Sequence, residues 1–386
     1  MATGRTSHNE LCMFSYRPLL GLLLSLLWHA HSQADPACLT RLGATPDAAG
    51  YACLRAIYQQ PPAHWPPPQV DAGVTWRELG PLPERLTAPA GNPDTPAKVA
   101  LGEKLFFDPR LSRSQQIACA SCHEPDLAFA DGRRVSFGHQ RAAGKRNSPS
   151  AANAGLVQPL FWDGRAADLE SQALMPVSDP LEMAFSSDEL VVRLRNSPDY
   201  PTLFRKAFAD PAPLRAEQIA QALASYQRSL LPRNNRFDLF LQGRQQLLSD
   251  QQLHGLHLFR GKARCMNCHS GPALSDNRFH NLGLTYYGRR YEDLGRYLVS
   301  GRAEDVGAFR TPSLRQVSRT GPWMHNGLFR QLEGILNLYN AGMPRPQPAN
   351  AQQREDPLFP KTSPLLQPLQ LQRAELQALR AFLDTL

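Results

Sequence analysis

The chain has 386 residues, 42% apolar and 20% charged, enough to bury a sizeable core and too apolar for a disordered protein. Its 34 prolines are nearly twice the usual share of about 5% and follow no period, which excludes collagen and a coiled coil and favours short helices between long ordered loops. The net charge of +8 is spread without a block of five or more Lys/Arg, so it leaves no nucleic-acid footprint and supports only a mild preference for acidic partners.

Arg17 precedes an apolar run from Leu19 to Trp28, and Ser32 and Ala34 stand at the −3 and −1 places of a cleavage site before Asp35. The run is about half the roughly 20 residues that a spanning helix needs, so residues 1–34 read as a secretory signal, with Met13 a candidate true start. An uncleaved anchor is the competing reading. No later segment is long enough to anchor the chain, which predicts an exported, periplasmic protein with no stable membrane anchor. Residues 35–86 form an N-terminal extension. In an oxidising compartment its Cys38 and Cys53, 15 residues apart, suit a disulfide worth roughly 3 kcal/mol in the chain-entropy model. Its proline-rich stretch Pro61 to Pro68 should be extended and lie over the surface of something else.

The apolar spacing of Val99, Leu101, Leu105 and Phe106 predicts a short helix over 97–107, leading into Cys119-Ala-Ser-Cys122-His123. The theme returns later: Gly102-x-x-Leu105-Phe106 is echoed by Gly255-x-x-Leu258-Phe259, which precedes Cys265-Met-Asn-Cys268-His269. In a CxxCH motif each thiol can join a haem vinyl group, and the adjacent histidine then binds the iron from the proximal face. Covalent attachment suits an exported protein, which cannot re-acquire a lost haem. A zinc site would need clustered ligands without the fixed terminal histidine, and a redox CxxC pair would sit in a βαβ pattern that this sequence lacks. Each half also ends in an amphipathic helix, through Ile219, Leu223, Tyr226 and Leu230 and through Leu376, Leu379, Leu383 and Leu386. In a small haem domain such a helix packs across the first one. The fold expected is mostly α: two cytochrome c-like haem domains in tandem, 87–240 and 241–386, with long loops behind the short extension.

From about Lys98 to the C-terminus the chain resembles the bacterial dihaem cytochrome c peroxidases and their MauG-type relatives, which oxidise a partner protein. The matching segments are LFFDPRLS (Leu105 to Ser112), the two CxxCH motifs, GKRNSPS (Gly144 to Ser150), FWDGRAADLESQA (Phe161 to Ala173), FRTPSLR (Phe309 to Arg315) and GPWMHNG (Gly321 to Gly327). The resemblance implies two covalently bound haems c. Peroxide would bind at the first, held by Cys119, Cys122 and His123. The second, held by Cys265, Cys268 and His269, would pass and store electrons.

By the same resemblance, His139 stands where many peroxidases keep a histidine that caps the first iron until the other haem is reduced. The competing reading is a solvated loop histidine. Glu182 matches the distal acid that moves a proton between the peroxide oxygens, Gln172 a residue that orients peroxide, and Trp162 an indole that relays oxidising equivalents between the haems. Asn147, Thr320 and Pro322 match residues that hold a calcium ion between the domains. The second haem's distal ligand would be Tyr339, 14 residues after His325 as in MauG-type enzymes, with Met324 the alternative. An anionic phenolate favours ferric iron and higher oxidation states, whereas a thioether favours ferrous iron.

His139 is thus peroxidase-like and Tyr339 MauG-like. Three functions follow: a cytochrome c peroxidase consuming hydrogen peroxide, a MauG-like oxidase of side chains on a specific partner, or a non-enzymatic dihaem electron carrier. The partners implied are hydrogen peroxide and an electron-donor protein, such as a small cytochrome c or a cupredoxin, or else a protein substrate. The resemblance also leaves room for a homodimer.

Overall fold

A computed structural model of the protein describes residues 36–386; the signal-like segment 1–34, with its apolar run and Cys12, lies outside the described residues. Among these, eight helices have nine residues or more: α1 (Ala48–Tyr58), α2 (Pro96–Phe106), α3 (Ser187–Arg195), α4 (Tyr200–Phe208), α5 (Ala216–Ser229), α6 (Asp250–Arg260), α7 (Leu332–Asn340) and α8 (Arg373–Leu383). Two three-residue strands, β1 (Phe279–Asn281) and β2 (Ala308–Arg310), pair antiparallel with His280 opposite Phe309. The rest is short turns and long loops. No helix among the described residues is long and apolar enough to cross a membrane.

The helices start where their caps are. Thr95 accepts the amide of Lys98 at 3.2 Å, with Pro96 supplying the first helical φ of α2. Ser249 and Gln252 satisfy each other's backbone amides at the head of α6, and Glu375 accepts the amide of Gln372 at the head of α8. Capping therefore moves α2 one residue ahead of the predicted 97–107. At the other end the apolar period overshoots. Leu230 is the C-cap of α5, and Leu386 is buried but lies beyond α8, because the chain keeps burying leucines after its helical hydrogen bonds have ended.

The internal repeat is a pair of helix crossings. A Cβ on Gly102 of α2 would run into the carbonyl of Ala222 on α5, and one on Gly255 of α6 would run into the carbonyl of Ala378 on α8. Glycine lets the backbones touch there, and an aromatic pair locks each crossing one turn further on. Phe106 meets Tyr226 with ring centroids 5.2 Å apart, and Phe259 meets Phe382 at 5.3 Å. Leu101, Leu105, Leu190, Leu194, Ile219 and Leu223 fill the core around the first crossing. Phe237, edge-on to Phe382 at 5.2 Å, extends the second.

The extension is tied to the second crossing. Cys38 and Cys53 are disulfide-bonded, which joins the first described turn to α1. Further on, the chain forms a strap along the second CxxCH motif. Gln69 donates its amide to Arg260 O at 2.8 Å, Asp71 donates its amide to Asn267 Oδ1 at 2.9 Å, and Gly271 donates its amide to Arg77 O at 3.0 Å. Arg264 pairs with Asp71, and the buried Arg260 pairs with Glu78.

Candidate active site

Each CxxCH motif folds into a tight turn that brings its histidine amide back onto the carbonyl of the first cysteine, at 3.0 Å for His123 and 2.8 Å for His269. Both cysteines and the histidine of each motif therefore line one cavity wall. A second contact orients each ring. His123 Nδ1 lies 3.1 Å from Phe129 O, and His269 Nδ1 lies 2.9 Å from Leu274 O. A carbonyl can only accept, so Nδ1 carries the proton and Nε2 keeps its lone pair. Burial pushes both histidines below their ordinary pKa, which keeps them neutral. Burial raises the thiols of Cys119 and Cys265 to about 12, so they stay protonated.

The first cavity has a volume of about 1050 Å³. Glu182, Gln172 and Trp162 line the same cavity as His123. Burial, then the charge of Asp179, raises the carboxyl pKa of Glu182, and the Arg165 guanidinium counters them in part. A carboxyl so placed holds its proton more tightly than an exposed one, which makes its conjugate base the better proton acceptor. Gln172 ends a short helix, Leu169–Gln172, capped by Asp168. His139 stands beside this cavity rather than in its wall, which at that turn is Gly138. The His139 amide donates to Glu182 O at 2.6 Å, and its Nδ1 is buried without a partner.

The second cavity is narrower. Its walls include Tyr339 on α7, Met324, which has a left-handed φ of 68°, and the trio Asn147, Thr320 and Pro322. Burial pushes the Tyr339 phenol up, so its anionic form requires a cation at the oxygen. Asn147 uses its side-chain amide on Arg133 O at 2.9 Å, and Thr320 precedes the Gly321-Pro322 cis bond.

Trp162 lines both cavities. Its indole N–H donates to Asn147 O at 2.9 Å, and its carbonyl accepts from the Arg310 amide at 2.8 Å, so both halves of the chain hold it. His325 also reaches both cavities, stacked on Phe309 with centroids 3.7 Å apart, and its Nε2 is buried without a partner. Burial and the Arg146 charge take His325 down to about 4 despite Asp293, so it is neutral.

Sequence reasoning assigned no role to Arg310 or Arg146. Arg310, 5% exposed and lining both cavities, donates to the carbonyls of Phe161 and Thr311 and has no carboxylate partner among the described residues. A buried guanidinium without an anion is costly, so it fits a bound group that brings carboxylates of its own, as haem does. Arg146 binds Asp293 through two 2.7 Å contacts and Asp163 through one of 2.6 Å, bridging the halves. The signal for Arg310 lay inside FRTPSLR, but its burial is a tertiary fact.

Residues 96–246 match the family described as di-haem cytochrome c peroxidase. The chain is 39% identical over 306 residues to the methylamine utilization protein MauG of Methylorubrum extorquens, covering 79% of this chain and 82% of that protein. It is 34% identical over 245 residues to the cytochrome c551 peroxidase of Nitrosomonas europaea, covering 63% and 73%. Among solved structures, a MauG-like protein associated with microbial copper homeostasis superposes with a TM-score of 0.70 at 34% identity, covering 79% of this chain and 94% of that one.

Proposed function

Because the chain belongs to the dihaem cytochrome c peroxidase and MauG family of peroxidase-type oxidoreductases, we propose that it is an exported enzyme that splits hydrogen peroxide at the His123 site and exchanges electrons with a protein through the His269 site. Two c-type haems would be held by Cys119, Cys122 and His123 and by Cys265, Cys268 and His269, in tandem domains over 87–240 and 241–386. The observation that carries the reading is the division of the walls: Glu182 and Gln172 line only the first cavity, Tyr339 and Met324 only the second, and Trp162 both.

Haem in the first site would supply the redox-active iron at which peroxide is cleaved. Glu182 takes the proton from the near peroxide oxygen and returns it to the far one, so that water leaves rather than hydroxide. Its raised pKa makes the carboxylate a better base for the first transfer, and the Arg165 guanidinium, which pulls the pKa back, favours the return. Gln172 orients the peroxide by hydrogen bonding. Trp162, fixed by Asn147 and Arg310, relays oxidising equivalents to the second site. There Tyr339 would bring a phenolate oxygen to the iron, with Met324 the alternative ligand. Arg310 would meet haem carboxylates, and Asn147, Thr320 and Pro322 would supply hard oxygens for a calcium ion.

Oxidation of side chains on a specific partner is the second reading. Tyr339 in the second cavity and Gly138 in place of His139 at the first wall both favour it, since they suit an open first site working without prior reduction. The test is the absorption spectrum of the fully oxidised protein before and after one equivalent of peroxide. A prompt change supports the MauG-like reading. A change that requires prior reduction of one haem makes His139 a gate and the protein a conventional peroxidase. No reaction in either state leaves an electron carrier.

A further inference from the structure

The extension carries a buried tyrosine whose hydroxyl is aimed at a histidine. Tyr58, at the end of α1 and 2% exposed, places its OH 2.9 Å from Nδ1 of His257 on α6. The Trp65 ring stands edge-on to Tyr58 with centroids 5.1 Å apart, and the Arg260 guanidinium lies over both rings. Two residues beyond His257, about 3 Å along the helix axis, Phe259 lines the second cavity. At about 100° per residue the two side chains leave α6 on nearly opposite sides, so this helix alone stands between the phenol's partner and that cavity.

We propose that Tyr58 and His257 form a redox-active pair that stores one oxidising equivalent outside both CxxCH sites. The proposal rests on the peroxide reaction of the preceding section for its oxidant. One molecule of peroxide delivers two oxidising equivalents. For one of them Tyr58 gives up an electron toward the second site while its phenolic proton moves along the existing hydrogen bond to His257 Nδ1. The products are a neutral phenoxyl radical and an imidazolium. An electron returning from a reductant, with the proton coming back from His257, restores the pair.

The surroundings suit each half of this transfer. Burial raises the Tyr58 phenol despite the Arg260 charge, with Glu78 adding to the rise, so the proton must have an acceptor before the electron can leave. Burial, with the charges of His254 and Arg260, holds His257 down at about 4, so the ring is neutral at neutral pH, and the tautomer with its proton on Nε2 leaves Nδ1 to accept from the Tyr58 hydroxyl. Donor and acceptor are already within proton-transfer distance. Arg260 would oppose the imidazolium, and Glu78, which pairs with it, offsets that charge.

The test is electron paramagnetic resonance of the full-length haem-loaded protein, frozen after one equivalent of peroxide without reductant, with the haem spectrum recorded in parallel. A second sample is oxidised by a photogenerated ruthenium(III) polypyridyl complex instead of peroxide. The expected result is a tyrosyl radical in both, narrowed by ring-deuterated tyrosine, kept in Tyr51→Phe, lost in Tyr58→Phe and lost or shortened in His257→Phe. His257→Phe retains the phenol, so it decides the matter even where Tyr58→Phe fails to fold. A wild-type protein silent to the ruthenium oxidant, or an undiminished radical in both variants, overturns the proposal. If the haems ignore peroxide while ruthenium still raises the Tyr58 radical, the proposed function falls and the pair stands.

Discussion

The two CxxCH regions share a scaffold and differ in what shares the cavity with the histidine. Each has a helix crossing at a glycine, an aromatic lock four residues later, and a histidine whose Nδ1 is held by a backbone carbonyl. The first opens onto a wide cavity with a carboxyl and an amide. The second is a narrower slot bordered by a phenol and a thioether, with the extension strapped along its motif. The shared scaffold thus fixes the two CxxCH turns and their histidines alike, and the remaining lining gives each cavity its own chemistry.

The comparison breaks most readily at Glu182. Glu182→Gln should slow the peroxide reaction by about 10²–10⁴-fold, measured by stopped flow, and leave both haems bound. An unchanged rate would remove Glu182 from the chemistry and the main distinction between the cavities with it. The same variant should flatten the pH profile, since in the parent the rate falls as pH drops through a carboxyl pKa above the ordinary 4.5. The stability linkage has the opposite sense. A carboxyl raised by folding contributes stability that is complete below its unfolded pKa and lost as pH rises through the folded one, and Glu182→Gln removes that dependence.

Arg146→Ala leaves Asp163 and Asp293 without their shared guanidinium and should cost about 3–5 kcal/mol in denaturant unfolding, because the bridge between the halves is largely buried. Gly102→Ala and Gly255→Ala should each cost about 1–3 kcal/mol or more by the same assay, since each pushes a Cβ into a carbonyl. Equal costs would sharpen the view of two equivalent crossings, and unequal costs would show that the strap or the loops compensate on one side. The smallest expected effect is that of Tyr339→Phe. It should alter the ferric spectrum of the second haem alone, with the rate of the first step unchanged. An unaltered spectrum would hand the ligand position to Met324 or to water.

Much of the scaffold was legible because it is local. Helix period, the twin motifs and the echo of Gly102 in Gly255 all lie within short windows of sequence, and capping and helix ends were missed by only a few residues. Within the site, residues such as Glu182 and Trp162 could be named only through the family resemblance. A glutamate after Ser-Asp-Pro-Leu carries no sign that it will line one cavity with a histidine 59 positions earlier. Arg310 and Arg146 lie inside the matching segments FRTPSLR and GKRNSPS, but what they do there was not legible, and neither was the Tyr58–His257 contact. Their meaning comes from burial and from partners far away in sequence, and an arginine or tyrosine reads the same whether it is solvated or enclosed.

The strap also sets an order of assembly. Its amides, carbonyls and carboxylates meet residues 182 to 196 positions later, among them Asn267, which lies between Cys265 and Cys268. The segment made first is therefore among the last to settle, because contacts so distant in sequence form after the local helices they join. Until Asp71 reaches Asn267 and Arg264, that flank of the second motif stays uncovered, so the wall that carries Cys265 and Cys268 is closed from outside only once the strap has docked.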